Sequence, residues 1–146
     1  MNKLNLDLIK LNMSFQTKEE AIKYCGMIFV NNGYVTPGYI EDMIARDKEC
    51  SVYIGNEVAI PHGLASSDKK IINTGIVVVQ VPDGVDFESG NAKILIAIAA
   101  KNNEQLEILS RIANICIDTK NISSLISATT KDEINKILML KGANDE

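Results

Sequence analysis

Apolar residues recur every three or four positions in several stretches of the chain, and this spacing predicts amphipathic helices. The first of these stretches begins after Thr17, which forms a capping-box pattern with Glu20, and it ends at Gly33. The second begins at Thr36 and Pro37, which match an N-cap followed by a first-turn proline. Two consecutive helices are therefore expected in the N-terminal third.

Further helices are predicted in the C-terminal third. The longest follows Asn102 or Asn103, either of which suits an N-cap. Its expected apolar face consists of Leu106, Leu109, Ile112, Ala113 and Cys116. A short helix is predicted over residues 122–127, and a last one follows the capping-box pair Thr130 and Glu133.

Alternating or wholly apolar runs predict strands in the remaining segments. The candidate strands cover residues 4–11, 51–54, 58–60, 73–81 and 94–99. Gly55 and Asn56 are expected to turn the chain between the second and third of these, and the segment Pro82-Asp83-Gly84 is expected to turn it after the fourth.

The order of these elements is a strand, two helices, several strands and then helices, which indicates the α/β class. We expect a single domain over residues 1–146, built on a sheet with helices packed on both faces. The polar tail over residues 141–146 is expected to be frayed.

The net charge and the cysteines limit which binding partners and which cellular compartment we expect for this chain. The formal net charge is −4, so the chain lacks the excess of Lys and Arg that binding to nucleic acid or to anionic lipid requires. No apolar stretch approaches the length of a bilayer span, and the N-terminus is not typical of a signal peptide. Cys25, Cys50 and Cys116 form no CxxC pair, which favours a reducing cytoplasm over a disulfide framework.

The single histidine of the chain stands in the stretch VAIPHG. His62 follows a predicted strand, at the edge where α/β sheets usually bind ligands, and Gly63 is expected to leave room for a phosphoryl group or another backbone. Imidazole is a nucleophile that titrates near neutral pH, which suits phosphoryl acceptance and release. The alternatives are a loop histidine without a chemical role and a nucleophile pair with Cys50.

Other kinds of site lack the residues they need. One histidine without clustered cysteines leaves too few ligands for zinc, and the chain has neither a GxxxxGK[ST] nor a GxGxxG segment. We therefore expect no metal and no nucleotide cofactor, and a phosphoryl group would arrive on a partner protein.

Polar residues at two predicted helix ends are candidates for holding an anion. Arg46 lies near the end of the second helix, where an arginine also simply favours the negative end of the helix dipole. Asn102, Asn103 and Gln105 lie at a helix start, where amide donors suit a phosphoryl group. If Asn102 is the N-cap, however, Gln105 occupies the third helical position and closes a capping box.

The stretch GNEVAIPHGLASSDKKIINTGIVVVQVPDGVDF, followed by ILIAIAAKNNEQLEILSRIA, resembles the Enzyme IIA domain of the mannitol/fructose class of the bacterial sugar phosphotransferase system. The resemblance runs from about Leu4 to Leu140, and the IPHG core, the PDGV turn and the AAKNNE junction carry most of its specificity. The NNE junction is more similar to the mannitol branch than to the nitrogen-regulatory branch. The resemblance implies a mixed parallel and antiparallel sheet flanked by helices on both faces.

The resemblance also implies roles for single residues. His62 matches the histidine that accepts a phosphoryl group from the phosphohistidine of HPr, a small phosphocarrier, and hands it to a cysteine of Enzyme IIB. Arg46 matches the arginine that helps to hold this group, and helix amides near Asn103 are expected to assist. Gln105 stands where members usually carry a second histidine. Its amide donates a hydrogen bond but cannot become cationic, a difference of about 1 kcal/mol, which would slow transfer by at most roughly tenfold.

Transfer between two proteins requires a docking surface. We expect a small apolar patch around His62, with Leu64, Ile54 and exposed residues of the second helix as candidates. The net negative charge would complement a basic patch on HPr. Two alternatives stay open: a regulatory module of the nitrogen-regulatory type, whose phosphorylation state controls binding to another protein, and a degenerate binding domain that is not phosphorylated, which the glutamine at Gln105 motivates.

Overall fold

A five-stranded mixed sheet organises the protein, which a computed structural model describes for residues 5–143. The strands are β1 (Ile9–Lys10), β2 (Tyr53–Gly55), β3 (Val58–Ala59), β4 (Gly75–Asp86) and β5 (Asn91–Ala99). Their order in the sheet is β1-β4-β5-β3-β2, with β1 parallel to β4 and β3 parallel to β5. The pairs β4–β5 and β2–β3 are antiparallel, so the predicted mixture of both directions is confirmed.

Five helices cover the two faces of this sheet in the described part of the chain. They are α1 (Lys18–Asn31), α2 (Tyr39–Glu49), α3 (Asn102–Ile117), α4 (Thr119–Ser127) and α5 (Lys131–Ala143). One hydrophobic core joins α1 and α2 to the sheet, and a second joins α3, α4 and α5 to the opposite face. Strand β5 supplies both cores by alternation, with Leu95 and Ala97 in the first and Ile94 and Ile96 in the second. The apolar character of β5 follows from this double burial, and the predicted α/β class with helices on both faces is confirmed.

The first predicted strand is much shorter than residues 4–11. Only Ile9–Lys10 pairs with the sheet, and a 3-10 helix precedes it at Leu6–Leu8. The Asn5 side chain accepts a hydrogen bond from the Asp7 N–H at 2.9 Å, which caps this turn and removes it from the extended conformation. Leu4 lies outside the described residues.

The predicted turn at Pro82-Asp83-Gly84 is wrong, because β4 runs through this segment. The β4–β5 register shifts between Gln80 and Val85, so the segment forms a bulge in which Pro82 needs no ladder donor and Gly84 adopts a φ of 80°. The hairpin reverses later, where the Phe87 N–H donates to the Gly90 carbonyl at 2.9 Å.

Two other predicted boundaries move by one or two residues. The β2–β3 turn consists of Asn56 and Glu57, with φ values of 51° and 68°, whereas Gly55 pairs with Val58. Helix α2 begins at Tyr39 after an N-cap at Gly38, not at the predicted N-cap Thr36. The Thr36 N–H donates to the Lys70 carbonyl at 2.9 Å, which fixes that residue beside the 3-10 helix Ala65–Lys70.

The N-caps predicted at Thr17 and Thr130 are confirmed, but the reciprocal bond of each capping box is displaced, because the two Glu carboxylates accept from the N–H of Gln16 and Thr129, one residue before the N-cap. The Glu20 N–H donates to Thr17 Oγ1 and the Glu133 N–H to Thr130 Oγ1, each at 3.2 Å. Helix α4 extends the predicted 122–127 helix by one turn at its start. Helix α5 runs through Ala143, residues 144–146 lie outside the described part, and the frayed tail stays a prediction.

Neither a membrane span nor a metal cluster occurs within residues 5–143. No helix there combines the length and apolarity needed to cross a bilayer. The same residues contain no group of three or more His, Cys, Asp or Glu side chains placed to hold a metal ion.

Candidate functional site

His62 lies where the parallel strands β3 and β5 approach their common carboxyl edge. It pairs with Ile98 of β5 in an isolated parallel bridge just beyond β3, and the Ile98 N–H donates to the Pro61 carbonyl at 2.9 Å. Helix α3 starts three residues after β5 ends, so the topology brings the start of α3 beside His62. The histidine is only 7% exposed, and is therefore more buried than its polar flanking sequence predicts.

One hydrogen bond determines the tautomer of the neutral His62 ring. Nδ1 lies 2.7 Å from the carbonyl oxygen of Ile60, which only accepts hydrogen bonds. Nδ1 must therefore carry the proton, and Nε2 keeps the lone pair. A neutral imidazole with a free Nε2 is the form that acts as a nucleophile.

The surroundings of His62 keep the ring neutral at pH 7. Burial lowers the pKa of His62 below its ordinary value of 6.5, and the positive charge of Arg46 lowers it further. The Ile60 carbonyl opposes both effects because it stabilises the protonated ring, but the pKa remains lowered.

An open cleft of about 470 Å³ adjoins His62. Its lining comes from the His62 loop, from α2 and from the first half of α3: Arg46, His62, Gly63, Ala65, Asn102, Gln105, Leu106 and Leu109. Three predicted site residues, His62, Arg46 and Gln105, thus meet in one cleft although they lie on three different elements. Asn103 is exposed on the first turn of α3 and lies outside the lining, where its neighbour Asn102 takes part.

Arg46 contacts the C-terminal end of its own helix and also lines the cleft beside His62, so both roles considered from the sequence fit its position. Its Nη1 donates to the Cys50 carbonyl at 2.7 Å, which satisfies the C-terminal end of its own helix. It also lines the cleft and acts electrostatically on His62. Cys50 itself is exposed and outside the cleft lining, so the structure does not bring the two members of the alternative Cys50–His62 pair into one site.

The start of α3 rules out the predicted capping box at Gln105. The N-cap is Lys101, not Asn102 or Asn103, so Gln105 occupies the fourth helical position. Asn102 is held instead by the 3-10 helix that follows His62, since its N–H donates to Asp68 Oδ1 at 2.7 Å and its Nδ2 to the Ala65 carbonyl at 2.8 Å. The Gln105 side chain therefore takes no part in capping the helix and lines the cleft.

Gly63 does not provide the open space that its small size predicted. A Cβ at this position would meet the ring of Tyr39, with Cζ at 2.9 Å, and also Ser67 Oγ at 2.9 Å. The space beside Gly63 is thus filled by this chain's own side chains, and the glycine is required for close packing.

Helix α2 presents a stripe of side chains to the loop after His62. Tyr39 Oη accepts from the Gly63 N–H at 2.9 Å, and Asp42 Oδ2 accepts from Ser67 Oγ at 2.6 Å and from Lys70 Nζ at 2.9 Å. Although burial alone would raise the pKa of Asp42, these two hydrogen bonds lower it below its usual range. Tyr39, Asp42 and Arg46 are spaced at i, i+3 and i+7, which places them on one side of a helix. This spacing is visible in the sequence, but apolar periodicity does not detect it because two of the three side chains are charged.

Leu106 was expected on the buried face of α3, and this is wrong. It is 75% exposed at the cleft, while Ile108, Ile112 and Ile115 turn into the core. The spacing of Asn102, Gln105 and Leu109 at i, i+3 and i+7 marks the cleft-facing stripe in the sequence. Of the two predicted docking residues, Leu64 is half-buried beside Gly63, and Ile54 is exposed on β2 outside the cleft lining.

Comparison with known proteins gives the same family from sequence and from structure. Residues 2–140 match the family model described as Phosphoenolpyruvate-dependent sugar phosphotransferase system, EIIA 2. The mannitol-specific phosphotransferase enzyme IIA component of Geobacillus stearothermophilus is 47% identical over 136 residues, which cover 92% of this chain and 94% of that protein.

Two solved structures share the fold at appreciable identity. The crystal structure of IIA mannitol from Escherichia coli has a TM-score of 0.87 and 36% identity, and the match covers 94% of this chain and 99% of that one. An Escherichia coli enzyme IIAMTL chain, solved by NMR in a complex with phosphorylated enzyme IIBMTL, has a TM-score of 0.87 and 34% identity, with 94% and 97% covered. The chain therefore belongs to the EIIA 2 family of the phosphoenolpyruvate-dependent sugar phosphotransferase system.

Proposed function

We propose that this chain is a phosphoryl carrier that accepts a phosphoryl group from phospho-HPr on His62 and passes it to the cysteine of Enzyme IIB. The observation that carries the proposal is the Nδ1–H bond to the Ile60 carbonyl, which leaves the Nε2 lone pair for attack beside Arg46. A lowered pKa keeps this nucleophile unprotonated at pH 7.

The bonds made and broken in the transfer step involve only the two histidines and the phosphoryl group. Nε2 of His62 attacks phosphorus on the donor, a new N–P bond forms, and the donor's N–P bond breaks with its electron pair returning to the donor imidazole. The His62 ring gains positive charge as its lone pair is shared, and the Ile60 carbonyl 2.7 Å from Nδ1 stabilises that charge. The second step reverses this one, with the Enzyme IIB thiolate as the attacking nucleophile.

The phosphoryl oxygens are held by charge and by neutral donors. Arg46 supplies the counter-charge, and such a pair at about 4 Å and an effective dielectric of about 20 gives roughly 4 kcal/mol before desolvation. The Gln105 side-chain amide adds a neutral donor, and backbone amides near Asn103, beside the cleft-lining Asn102 at the start of α3, are proposed to add others. Positioning and electrostatics dominate because the transferred group is loose and anionic.

The sugar and the partners are inferred from relatives. The relative from Geobacillus stearothermophilus is named mannitol-specific, and a matching Escherichia coli structure is a complex with phosphorylated IIB. These names favour uptake of mannitol over the regulatory alternative. We propose that the protein works in the cytoplasm, where HPr and Enzyme IIB would meet it.

The test is incubation with phosphoenolpyruvate, Enzyme I and HPr, followed by addition of the mannitol Enzyme IIB. Wild type is expected to gain an acid-labile phosphoryl group that His62→Ala does not gain, and to pass it to the Enzyme IIB cysteine. Cys50→Ser is the matched control and is expected to label like wild type. An unlabelled wild type would refute the carrier function, whereas labelling without transfer to Enzyme IIB would favour the regulatory alternative.

Arg46→Gln tests the counter-charge in the same assay. Removing the charge is expected to slow transfer in both directions by about a hundredfold, the effect of losing one preorganised charged donor. Rates equal to wild type in both directions would remove Arg46 from the mechanism.

A further inference from the structure

A single hydroxyl group connects helix α2 to the strand that carries His62. The Tyr39 side chain is 1% exposed, and its Oη accepts from the Gly63 N–H and donates to the Ile98 carbonyl, both at 2.9 Å. Burial raises the pKa of Tyr39 to about 12, so the hydroxyl keeps the proton that it donates.

This hydroxyl lies at the position of a backbone hydrogen bond between the His62 segment and β5. The bridge pairs His62 with Ile98, and the Ile98 N–H donates to the Pro61 carbonyl. In a continued parallel ladder the next bond would run from the Gly63 N–H to the Ile98 carbonyl. Tyr39 Oη bonds to both of these groups, so the hydroxyl links Gly63 to β5 immediately after His62.

The backbone on either side of His62 is consequently held by different means. On the N-terminal side, the sheet bond to Pro61 and the ring bond to the Ile60 carbonyl hold it. On the C-terminal side, the Tyr39 ring and hydroxyl contact Gly63, so the chain leaves the sheet at this residue. The imidazole stands at the boundary between the two.

We propose that Tyr39 is a positioning residue for phosphoryl transfer: its hydroxyl links Gly63 to the Ile98 carbonyl of β5 immediately after His62 and thereby aims Nε2 into the cleft. The inference rests on the proposed function of His62 as phosphoryl acceptor. In-line transfer is sensitive to displacement, because a shift of about 1 Å of a reacting atom costs on the order of a hundredfold in rate.

The variant that isolates the hydroxyl is Tyr39→Phe, because it keeps the ring that packs against Gly63. Without the hydroxyl, the Gly63 N–H and the Ile98 carbonyl are free to pair directly, which would draw the backbone after His62 toward β5. Tyr24→Phe is the matched control: it removes a half-buried hydroxyl that contacts Met13 and takes no part in the cleft.

The experiment measures phosphoryl acceptance from phospho-HPr, together with an NMR pH titration of the single imidazole. All chains are assayed below their melting temperatures. We expect Tyr39→Phe to lower kcat by tenfold or more, with KM changed by less than about twofold, and to shift the imidazole titration. Tyr24→Phe is expected to match wild type in all three readouts.

Three results would overturn the positioning role of Tyr39. They are a kcat within about twofold of wild type, a lower kcat with an unchanged imidazole titration, and a variant that does not fold even when cooled. A wild type that takes up no phosphoryl group refutes the proposed function instead, so the two failures are distinguishable.

Discussion

The bond between Nδ1 of His62 and the Ile60 carbonyl determines which ring nitrogen is available for chemistry. The two residues are only two positions apart, with Pro61 between them. A short local bond thus converts a versatile side chain into one defined tautomer. At this scale the site is a buried neutral imidazole with one positive neighbour, Arg46.

The titration of His62 is the first prediction at the residue scale. Its lowered pKa means that the folded chain binds fewer protons than the unfolded chain just below pH 6.5. The free energy of unfolding contributed by this group is therefore complete above 6.5 and decreases as the pH falls through that window. NMR of the single imidazole is expected to give a midpoint below 6.5 in the folded chain and near 6.5 in urea. A folded midpoint at or above the urea value would contradict the burial argument.

Gln105→His is the second prediction, since it restores an imidazole that can become cationic. The ratio of its transfer rate to that of wild type is expected to rise by up to about tenfold as the pH falls from about 8 to about 6.5. A charged donor strengthens its bond to phosphoryl oxygens, whereas the amide of Gln105 is insensitive to pH. Gln105→Leu, which has no donor, is the control and is expected to be slower than wild type at every pH. A pH-independent ratio for Gln105→His would place this side chain away from the phosphoryl group.

Helix α2 is the element that connects the core to the site. Its buried side, including Met43, packs against α1, while Tyr39, Asp42 and Arg46 extend to the His62 loop. The position of α2 against α1 therefore sets the position of three side chains at the cleft. The tight contact is at Gly26 of α1.

Gly26→Ala is expected to destabilise the protein although alanine favours helices. A Cβ at this position would lie 2.7 Å from Ile40 Cγ1 and 3.3 Å from Met43 Sδ, so the Ile40 side chain or α2 itself must shift. Overpacking costs about 1–3 kcal/mol, which exceeds the gain of about 1 kcal/mol in helix propensity. Gly38→Ala is the control: its Cβ would meet only Lys70 atoms at 3.6 Å or more, and its stability is expected to stay within about 1 kcal/mol of wild type. Urea unfolding measures both variants, and equal stabilities would contradict this packing argument.

At the scale of the whole molecule, apolar residues of α3 form a rim along one wall of the His62 cleft. Leu106 and Leu109 lie beside Gln105 on the cleft wall, and Leu106 is 75% exposed. The proposed transfer at His62 requires two proteins to exclude water from the histidine and then separate, which suits a small apolar contact. The rim on α3 is therefore the surface where we expect HPr and Enzyme IIB to dock in turn.

Leu106→Ala tests this docking surface. Because the side chain is exposed, its loss is expected to change the free energy of unfolding by less than about 0.5 kcal/mol. The KM for phospho-HPr is expected to rise by about tenfold, the effect of truncating an interface anchor. Ile117→Ala is the matched control, since Ile117 is 71% exposed at the other end of α3 and outside the cleft lining. Similar kinetics for both variants would exclude the α3 rim as the docking surface.

The chain's own pattern determined the class of fold and identified the candidate for the reacting residue. Period-two and period-3.6 apolar spacing predicted the α/β layers, because burial on two faces leaves few polar positions in β4 and β5. His62 stood out by its type and by its place after a strand. Capping at Thr17 and Thr130 was predictable because it depends on neighbouring residues alone.

Only the tertiary structure decided how the site is assembled, because its contacts join residues far apart in the chain. Asp68 and Ala65 hold Asn102 and so allow Lys101 to become the N-cap, which releases Gln105 from the capping box. Tyr39 contacts Gly63 across 24 positions, and no local pattern encodes that separation. Apolar periodicity reports which residues are buried, but the direction of a hydroxyl or a carboxylate depends on a partner that folding brings near.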